Sequence, residues 1–102
     1  MGTQSSYDLE QVKALVRAGA YAITNSARRD ALQLAFSEAD ILDCILGLDE
    51  SDCFKTMPAE KAPGLMQDVY RPLYEGQRLY VKLQIATSVS GGTTVVISFK
   101  RL

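Results

Sequence analysis

Apolar side chains in the first half of the chain recur every three or four residues, the spacing that lines one face of an α-helix. The recurrence covers three stretches, at about residues 8–19, 25–34 and 37–47. Each stretch starts at a small polar residue of the kind that caps helix N-termini, and the first and third end at a glycine. The predicted caps are Asp8, the pair Asn25–Ser26, and Ser37.

From residue 53 onward apolar and polar residues alternate, which is the two-residue period of a β-strand. The predicted strands are residues 21–24, 53–57, 65–71, 77–87 and 93–100. Residues 58–64 and 72–76 are predicted to be connections. Because the helices come first and most strands later, the sequence predicts an α+β fold, with N-terminal helices packed on a mainly antiparallel sheet.

The register of the last two strands depends on their connection at Gly91–Gly92. A two-residue loop there would pair Ser90 with Thr93 and would mix apolar and charged side chains on both faces of the sheet. A three-residue connection, or a bulge at a glycine, separates them, and we therefore predict one of these. The predicted core face carries Leu79, Val81, Leu83, Ile85, Val95, Ile97 and Phe99. The opposite face then carries Tyr80, Lys82, Gln84, Ser98 and Lys100.

The length of 102 residues fits one domain, which we expect to span residues 1–102 with a disordered terminus at residues 1–6. No stretch approaches the roughly 20 consecutive apolar residues of a membrane span, and residues 1–6 lack the features of a signal peptide. The expectation is therefore a cytoplasmic protein that does not enter the membrane.

The formal net charge of −1 conceals an uneven distribution. Residues 1–52 hold four basic and nine acidic side chains, whereas residues 53–102 hold seven basic and three acidic ones. A basic half of this kind can form a surface that faces phosphate groups. Charges scattered over solvated faces would give the same count, so composition alone leaves both interpretations open.

The sequence has no histidine, and the spacing of its two cysteines, Cys44 and Cys53, matches no zinc or redox motif. The acids of the basic half, Glu60, Asp68 and Glu75, are too scattered to suggest a metal cage. We therefore expect neither a metal nor a cofactor, and nucleophilic catalysis with a histidine base is excluded. The remaining lysine, arginine, tyrosine and glutamine side chains suit phosphodiester recognition and the stabilisation of a charged phosphorane.

Four runs in the second half of the chain, with a matching N-terminal helix, resemble the MqsR family, the motility quorum-sensing regulator toxins of bacterial type II toxin–antitoxin systems. The run Gln-Asp-Val-Tyr-Arg-Pro is the most specific of them. The four runs are residues 49–57, 67–72, 79–82 and 96–100. The resemblance implies a small fold like that of the RelE-type toxins, and metal-independent cleavage of messenger RNA at short GC-containing sites. It also implies a cognate MqsA-like antitoxin as partner.

Position by position, the resemblance implies an active site made of Lys55, Gln67, Tyr80 and Lys100. The two lysines would hold the scissile phosphate and Gln67 would orient the phosphate or the ribose. Tyr80 would exchange a proton or serve as a stacking platform. Supporting RNA contacts are expected from Arg71 and Lys82.

One position departs from the family pattern, since Phe54 stands where a tyrosine commonly precedes the first active-site lysine. Without the resemblance, Tyr70 and Tyr80 would be interpreted as half-buried sheet aromatics, Gln67 as a solvated strand residue and the lysines as edge-strand charges. The resemblance does not change the structural interpretation of Tyr70 or Tyr74. The alternative function is a non-catalytic module of the same fold that binds RNA or an antitoxin.

Overall fold

The structure, a computed structural model, describes residues 4–102. The elements in chain order are α1 (Leu9–Arg17), β1 (Tyr21–Ile23), α2 (Asn25–Gln33), α3 (Glu38–Leu46), a 3₁₀ turn (Glu50–Asp52), β2 (Cys53–Pro58), β3 (Met66–Tyr70), β4 (Leu73–Tyr74), β5 (Gln77–Ser88) and β6 (Gly91–Arg101). The predicted helices and strands are therefore confirmed, and so is the α+β class. The likeness to the RelE-type fold stays a prediction.

Each helix is capped at its N-terminus by a side chain. Asp8 caps α1, and Ser37 forms a reciprocal capping box with Asp40 at α3, both as the sequence predicts. The predicted Asn25–Ser26 cap of α2 is wrong, because Thr24 holds that position. The Thr24 hydroxyl accepts the Ala27 N–H at 3.1 Å and donates to the Ile97 carbonyl at 2.9 Å, so it caps the helix and ties it to β6.

The strands form one mixed sheet in the order β1-β6-β5-β3-β2. Only the β1–β6 pair is parallel among the pairs of the described chain, so the sheet is mainly antiparallel as predicted. The predicted connection at residues 72–76 is wrong in one respect, because it contains the short strand β4, which pairs with β5. Glu75 and Gly76 have φ of 49° and 76°, the left-handed values that close a tight hairpin.

The helices cover one face of the sheet and form the core with it. Their buried side chains form one cluster with the inward residues of β5 and β6, and Tyr70 and Phe99 are the largest fully buried side chains. The chain before α1 is also attached, since the buried Asp68 carboxylate accepts the N–H groups of Ser6 and Tyr7, each at 2.9 Å. Residues 1–3 of the terminus predicted to be disordered lie outside the described residues.

The β5–β6 hairpin has the predicted irregularity at a different place. Its loop has two residues, Val89–Ser90, because Ser88 pairs with Gly91. The register then shifts at Ile97, since Leu83 pairs with Val96 whereas Lys82 pairs with Ser98. The predicted three-residue connection or bulge at a glycine is therefore wrong, and the register shift comes from a bulge at Ile97 in the middle of β6.

This bulge decides which side chains face the core. Phe99 pairs with Val81 and is buried, as predicted. The predicted inward positions of Val95 and Ile97 are wrong, because the pairing on the loop side of the bulge turns Thr94 and Val96 inward instead. Within residues 4–102, no helix is long and apolar enough to cross a membrane.

Candidate functional site

The face of the sheet that the helices leave uncovered collects the residues proposed from the sequence. Paired residues on neighbouring strands point to the same side of a sheet. Lys55 of β2 pairs with Val69, Val69 with Lys82, and Lys82 with Ser98 of β6. We call this side the open face. Its polar and aromatic residues are Lys55, Gln67, Tyr80, Lys82, Gln84, Ser98 and Lys100.

Two lysines converge on the ring of Tyr80. Tyr80 is half-buried on β5 and pairs directly with Lys100 on β6. The Lys100 Nζ lies 5.2 Å from the centroid of the ring and the Lys82 Nζ lies 5.8 Å from it. Both distances are within the range of a cation–π attraction. The cluster therefore puts two positive charges and one phenolic hydroxyl on the same patch of sheet.

A second cluster forms around Phe54 at the edge of the sheet. The register of β2 shifts between Cys53 and Lys55, which leaves Phe54 as the extra residue of a bulge. The Phe54 ring lies 4.2 Å from the Arg71 guanidinium carbon and 5.8 Å from the Lys55 Nζ. A hydroxyl is absent here, but the ring still contacts two cations.

Gln67 is held by a neighbour that the sequence interpretation did not include in the site. Its Nε2 donates to the Oε1 of Gln84 at 3.1 Å, across the β3–β5 pair. The sequence signal was available, because Gln84 follows Tyr80 and Lys82 at the two-residue period of β5. The pair fixes the orientation of the Gln67 amide.

The cations of the open face form no ion pair with a carboxylate of residues 4–102. In the described part of the chain, the ion pairs within 4.0 Å join Lys13 to Glu10 and Arg28 to Glu38, all four on helices. Asp68, although it is on β3, points to the opposite side of the sheet and is buried. The cations of the open face therefore remain available to an anionic ligand. Among residues 4–102, no group of three potential ligand side chains could hold a metal ion.

A groove of about 270 Å³ adjoins the Tyr80 cluster, with which it shares Lys82. It lies between the open face and the connection from β2 to β3. Its lining residues are Met57, Ala59, Glu60, Lys61, Ala62, Gln67, Lys82, Gln84 and Ile97. Ile97 reaches this side of the sheet because of the bulge, and no periodicity in the sequence indicates that.

The structure therefore brings the proposed site residues to one face in three adjacent groups. Tyr80, Lys82 and Lys100 form the first. Lys55 and Arg71 meet at Phe54. Gln67 is paired with Gln84 beside the groove. Such a surface can bind a phosphodiester through ammonium and guanidinium groups and can offer one hydroxyl for proton exchange.

Comparison with known proteins identifies the family of the chain. The family described as "Motility quorum-sensing regulator, toxin of MqsA" matches residues 4–101 of the chain. The mRNA interferase toxin MqsR of Escherichia coli strain K12 is 36% identical over 92 residues, which cover 90% of this chain and 89% of that protein. The chain belongs to the MqsR toxin family. Membership confirms the resemblance predicted from the sequence. In this MqsR family member the four residues of the predicted active site, Lys55, Gln67, Tyr80 and Lys100, lie on the open face.

Proposed function

We propose that this MqsR family protein is an endoribonuclease that cuts messenger RNA and acts as the toxin of a type II toxin–antitoxin system. The observation that carries the proposal is the Tyr80 ring with two lysine Nζ atoms at 5.2 and 5.8 Å from its centroid, neither of which forms an ion pair with a carboxylate in residues 4–102. The name of the Escherichia coli relative, an mRNA interferase toxin, supports the same activity.

The reaction begins with attack of a ribose 2′-oxygen on the neighbouring phosphorus, which restricts the substrate to RNA. The phosphorus–5′-oxygen bond breaks, the 2′-hydroxyl loses its proton and the 5′-oxygen gains one. The products are a 2′,3′-cyclic phosphate and a 5′-hydroxyl end. Negative charge grows on the non-bridging oxygens in the transition state, and Lys55 and Lys100 stabilise it. Gln67 orients the phosphate or the ribose.

Tyr80 exchanges the proton or supports a base by stacking, and Arg71 and Lys82 hold neighbouring phosphates. The ammonium groups supply the positive charge that a metal supplies in other nucleases, so we propose a metal-independent reaction. Cleavage is proposed at short GC-containing sequences in the cytoplasm. An MqsA-like antitoxin restrains the activity, in keeping with the family description.

Mapping the ends produced from a defined RNA tests the activity. The purified protein is expected to yield 2′,3′-cyclic phosphate ends in the presence of EDTA, and to leave the matching DNA intact. Lys55→Ala and Lys100→Ala are each expected to lower the cleavage rate by roughly 10²–10³-fold. Arg29→Ala, which removes an exposed cation of α2 on the helical side of the sheet, is the matched control and should cut at the normal rate.

Expression of the chain alone should stop growth, and co-expression of the cognate antitoxin should restore it. Intact RNA after long incubation, together with measurable RNA or antitoxin binding, would overturn the proposal in favour of a non-catalytic binding module.

A further inference from the structure

The groove beside Gln67 is continuous with the lysine cluster around Tyr80. Lys82 lines the groove and also lies 5.8 Å from the Tyr80 ring. Gln67 contributes to both the proposed active site and the floor of the groove. A ligand bound at the Tyr80 cluster can therefore extend into the groove.

The size and lining of the groove suit a small planar ring. Its volume of about 270 Å³ is slightly below the roughly 300–1,000 Å³ of pockets that hold drug-sized ligands. Met57 and Ile97 are half-buried and offer apolar surface to the face of a ring. Thioether sulfur packs favourably against aromatic rings.

The polar floor of the groove offers one donor beside one acceptor. The Gln67 Nε2 is bonded to the Gln84 Oε1. In residues 4–102, the Gln67 Oε1 and the Gln84 Nε2 have no hydrogen-bond partner in the protein, although both side chains are half-buried. Every nucleobase has a hydrogen-bond acceptor next to a donor on one of its edges. The free Gln67 oxygen and Gln84 nitrogen can therefore bind such an edge in the plane of the ring.

The charged residues of the groove favour a neutral base over a phosphate as its occupant. Glu60 lines the groove together with Lys61 and Lys82, so a carboxylate lies among its cations. A carboxylate opposes binding of an anion but accepts hydrogen bonds from the N–H groups of a neutral base. The phosphate is better accommodated at the Tyr80 cluster, where two lysine Nζ atoms flank the ring and neither forms an ion pair with a carboxylate of the described residues.

We propose that this groove is a nucleobase subsite, which receives the base next to the scissile phosphate and selects the position of the cut. The inference rests on the proposed ribonuclease function, and it identifies the groove as the source of sequence selectivity. Gln84 and Ile97, which contact no proposed reacting atom, are then specificity-determining residues.

Cleavage of an RNA library with randomised sequence tests the subsite. Gln84→Leu removes the free amide and Ile97→Trp fills the groove. Each is expected to reduce the base preference at one position beside the cut by about tenfold, and the same position should respond in both variants. The cut ends should still carry 2′,3′-cyclic phosphate. Gln11→Leu and Leu32→Trp, exposed changes on α1 and α2, are the matched controls and should keep the wild-type profile.

Binding provides a second measurement that does not require cleavage. A non-cleavable oligonucleotide with 2′-deoxyribose at the cut position is compared with copies that lack one base. Wild-type protein should lose about tenfold in affinity when one particular base is missing, and Ile97→Trp should bind both forms equally. Circular dichroism and thermal melting check that the variants are folded.

The outcomes separate the two proposals. Wild-type preferences unchanged in both variants, or equal wild-type affinity for every oligonucleotide that lacks a base, would overturn the subsite. Variants that keep the RNA profile but lose antitoxin binding would assign the groove to a protein partner instead. Failure of wild-type protein to cut any RNA would overturn the ribonuclease, while the binding experiment would still decide whether the groove holds a base.

Discussion

At the scale of single residues, the cations of the open face are positioned by aromatic rings. Tyr80 contacts Lys82 and Lys100, and Phe54 contacts Lys55 and Arg71. A carboxylate would hold a lysine as well but would cancel its charge. A ring attracts the cation by only about 0.5–1 kcal/mol at an exposed site and leaves the charge intact. The side chains are therefore gathered without losing their affinity for phosphate.

Two substitutions at Tyr80 separate its proposed roles. Tyr80→Phe keeps the ring, so binding of a non-cleavable RNA is expected to stay within about twofold, while the cleavage rate falls by roughly 10²–10⁴-fold if the hydroxyl moves a proton. Tyr80→Leu removes the ring as well, and both binding and cleavage should fall. Fluorescence anisotropy and single-turnover cleavage measure the two effects. Unchanged cleavage by Tyr80→Phe would assign Tyr80 to stacking alone.

A buried thiol and a buried phenol make the free energy of unfolding depend on pH in the alkaline range. Burial raises the pKa of the Cys44 thiol and of the Tyr70 hydroxyl, each to about 12. Their folded-state pKa values lie above those of the unfolded chain, so their contribution to stability is complete below about pH 8 and is lost as the pH rises towards about 12. Urea midpoints are expected to fall between about pH 8 and about pH 10.5.

The matched variant for this pH effect is Cys44→Ala, which lacks one of the two groups. Its urea midpoint should fall less steeply with pH than that of the wild-type protein, whatever its absolute stability. Equal slopes for the two proteins would contradict the assignment to Cys44. At about pH 8 the native thiol should also react slowly with a thiol reagent, because the thiolate is the reactive form.

At the scale of elements, Asp68 joins the chain before α1 to the strand that carries Gln67. Its carboxylate is 1% exposed and accepts the N–H groups of both Ser6 and Tyr7. Asp68→Asn leaves a single acceptor and turns an amide donor towards an N–H group. The free energy of unfolding should fall by about 1.5–3 kcal/mol, measured by urea denaturation.

The control for Asp68→Asn is the same chemical change at Asp8. Asp8 caps α1 in an exposed position, where asparagine caps a helix about as well as aspartate. Asp8→Asn is therefore expected to be nearly neutral. Equal losses of stability in the two variants would show that the buried Asp68 carboxylate contributes no more than an exposed capping carboxylate.

The end of α2 contains an alanine where the backbone favours glycine. Ala35 has φ of 63°, and the N–H groups of Ala35 and Phe36 donate to the Leu32 and Ala31 carbonyls in the pattern of a Schellman motif. Ala35→Gly relieves a left-handed strain of about 1–2 kcal/mol but increases the entropy of the unfolded chain. A net stabilisation of about 0.5–1 kcal/mol is expected from urea denaturation.

The opposite result is expected for Ala14→Gly, which lies in the middle of α1 and is exposed. There the free energy of unfolding should fall by about 0.5–1 kcal/mol. A loss of stability from both substitutions would contradict the strain assigned to Ala35.

The helices could be predicted from the sequence because their signals are local, as at Ser37 with its partner Asp40 three residues later. The bulge of β6 could not. Val95, Val96 and Ile97 are consecutive apolar residues, and such a run is compatible with either face of a strand pointing to the core. The two-residue strand β4 is too short to show any period.

At the scale of the whole molecule, the proposed site depends on the order of the strands. Lys55 enters from β2 at one edge and Lys100 from β6, with β3 and β5 between them. No spacing in the sequence specifies that order, so the grouping of these lysines rested on a family resemblance. Gln84 has no such support and is recognised as a neighbour of the site from its contact with Gln67.

The cations grouped on the open face predict that the affinity for RNA falls strongly as the salt concentration rises. Four cations lie on the open face and its edge, Lys55, Arg71, Lys82 and Lys100. Each phosphate neutralised on a single strand contributes about −0.7 to the slope of log affinity against log salt, so a slope near −3 is expected. Titrations of a non-cleavable RNA at several salt concentrations measure it.

Lys82→Ala should make that slope shallower by about 0.7, because one phosphate contact is removed. Arg29→Ala on α2 should leave the slope unchanged. A slope near zero for the wild-type protein would contradict the use of this face for phosphates.

The strand that completes the sheet is also the one synthesised after all the others. β6 follows every other element described, yet it lies between β1 and β5 and supplies Lys100. Until β6 has been synthesised and has joined the sheet, the chain has β1 without its parallel partner and Tyr80 without the lysine that pairs with it. We therefore expect the proposed nuclease activity to arise only with the last step of sheet assembly.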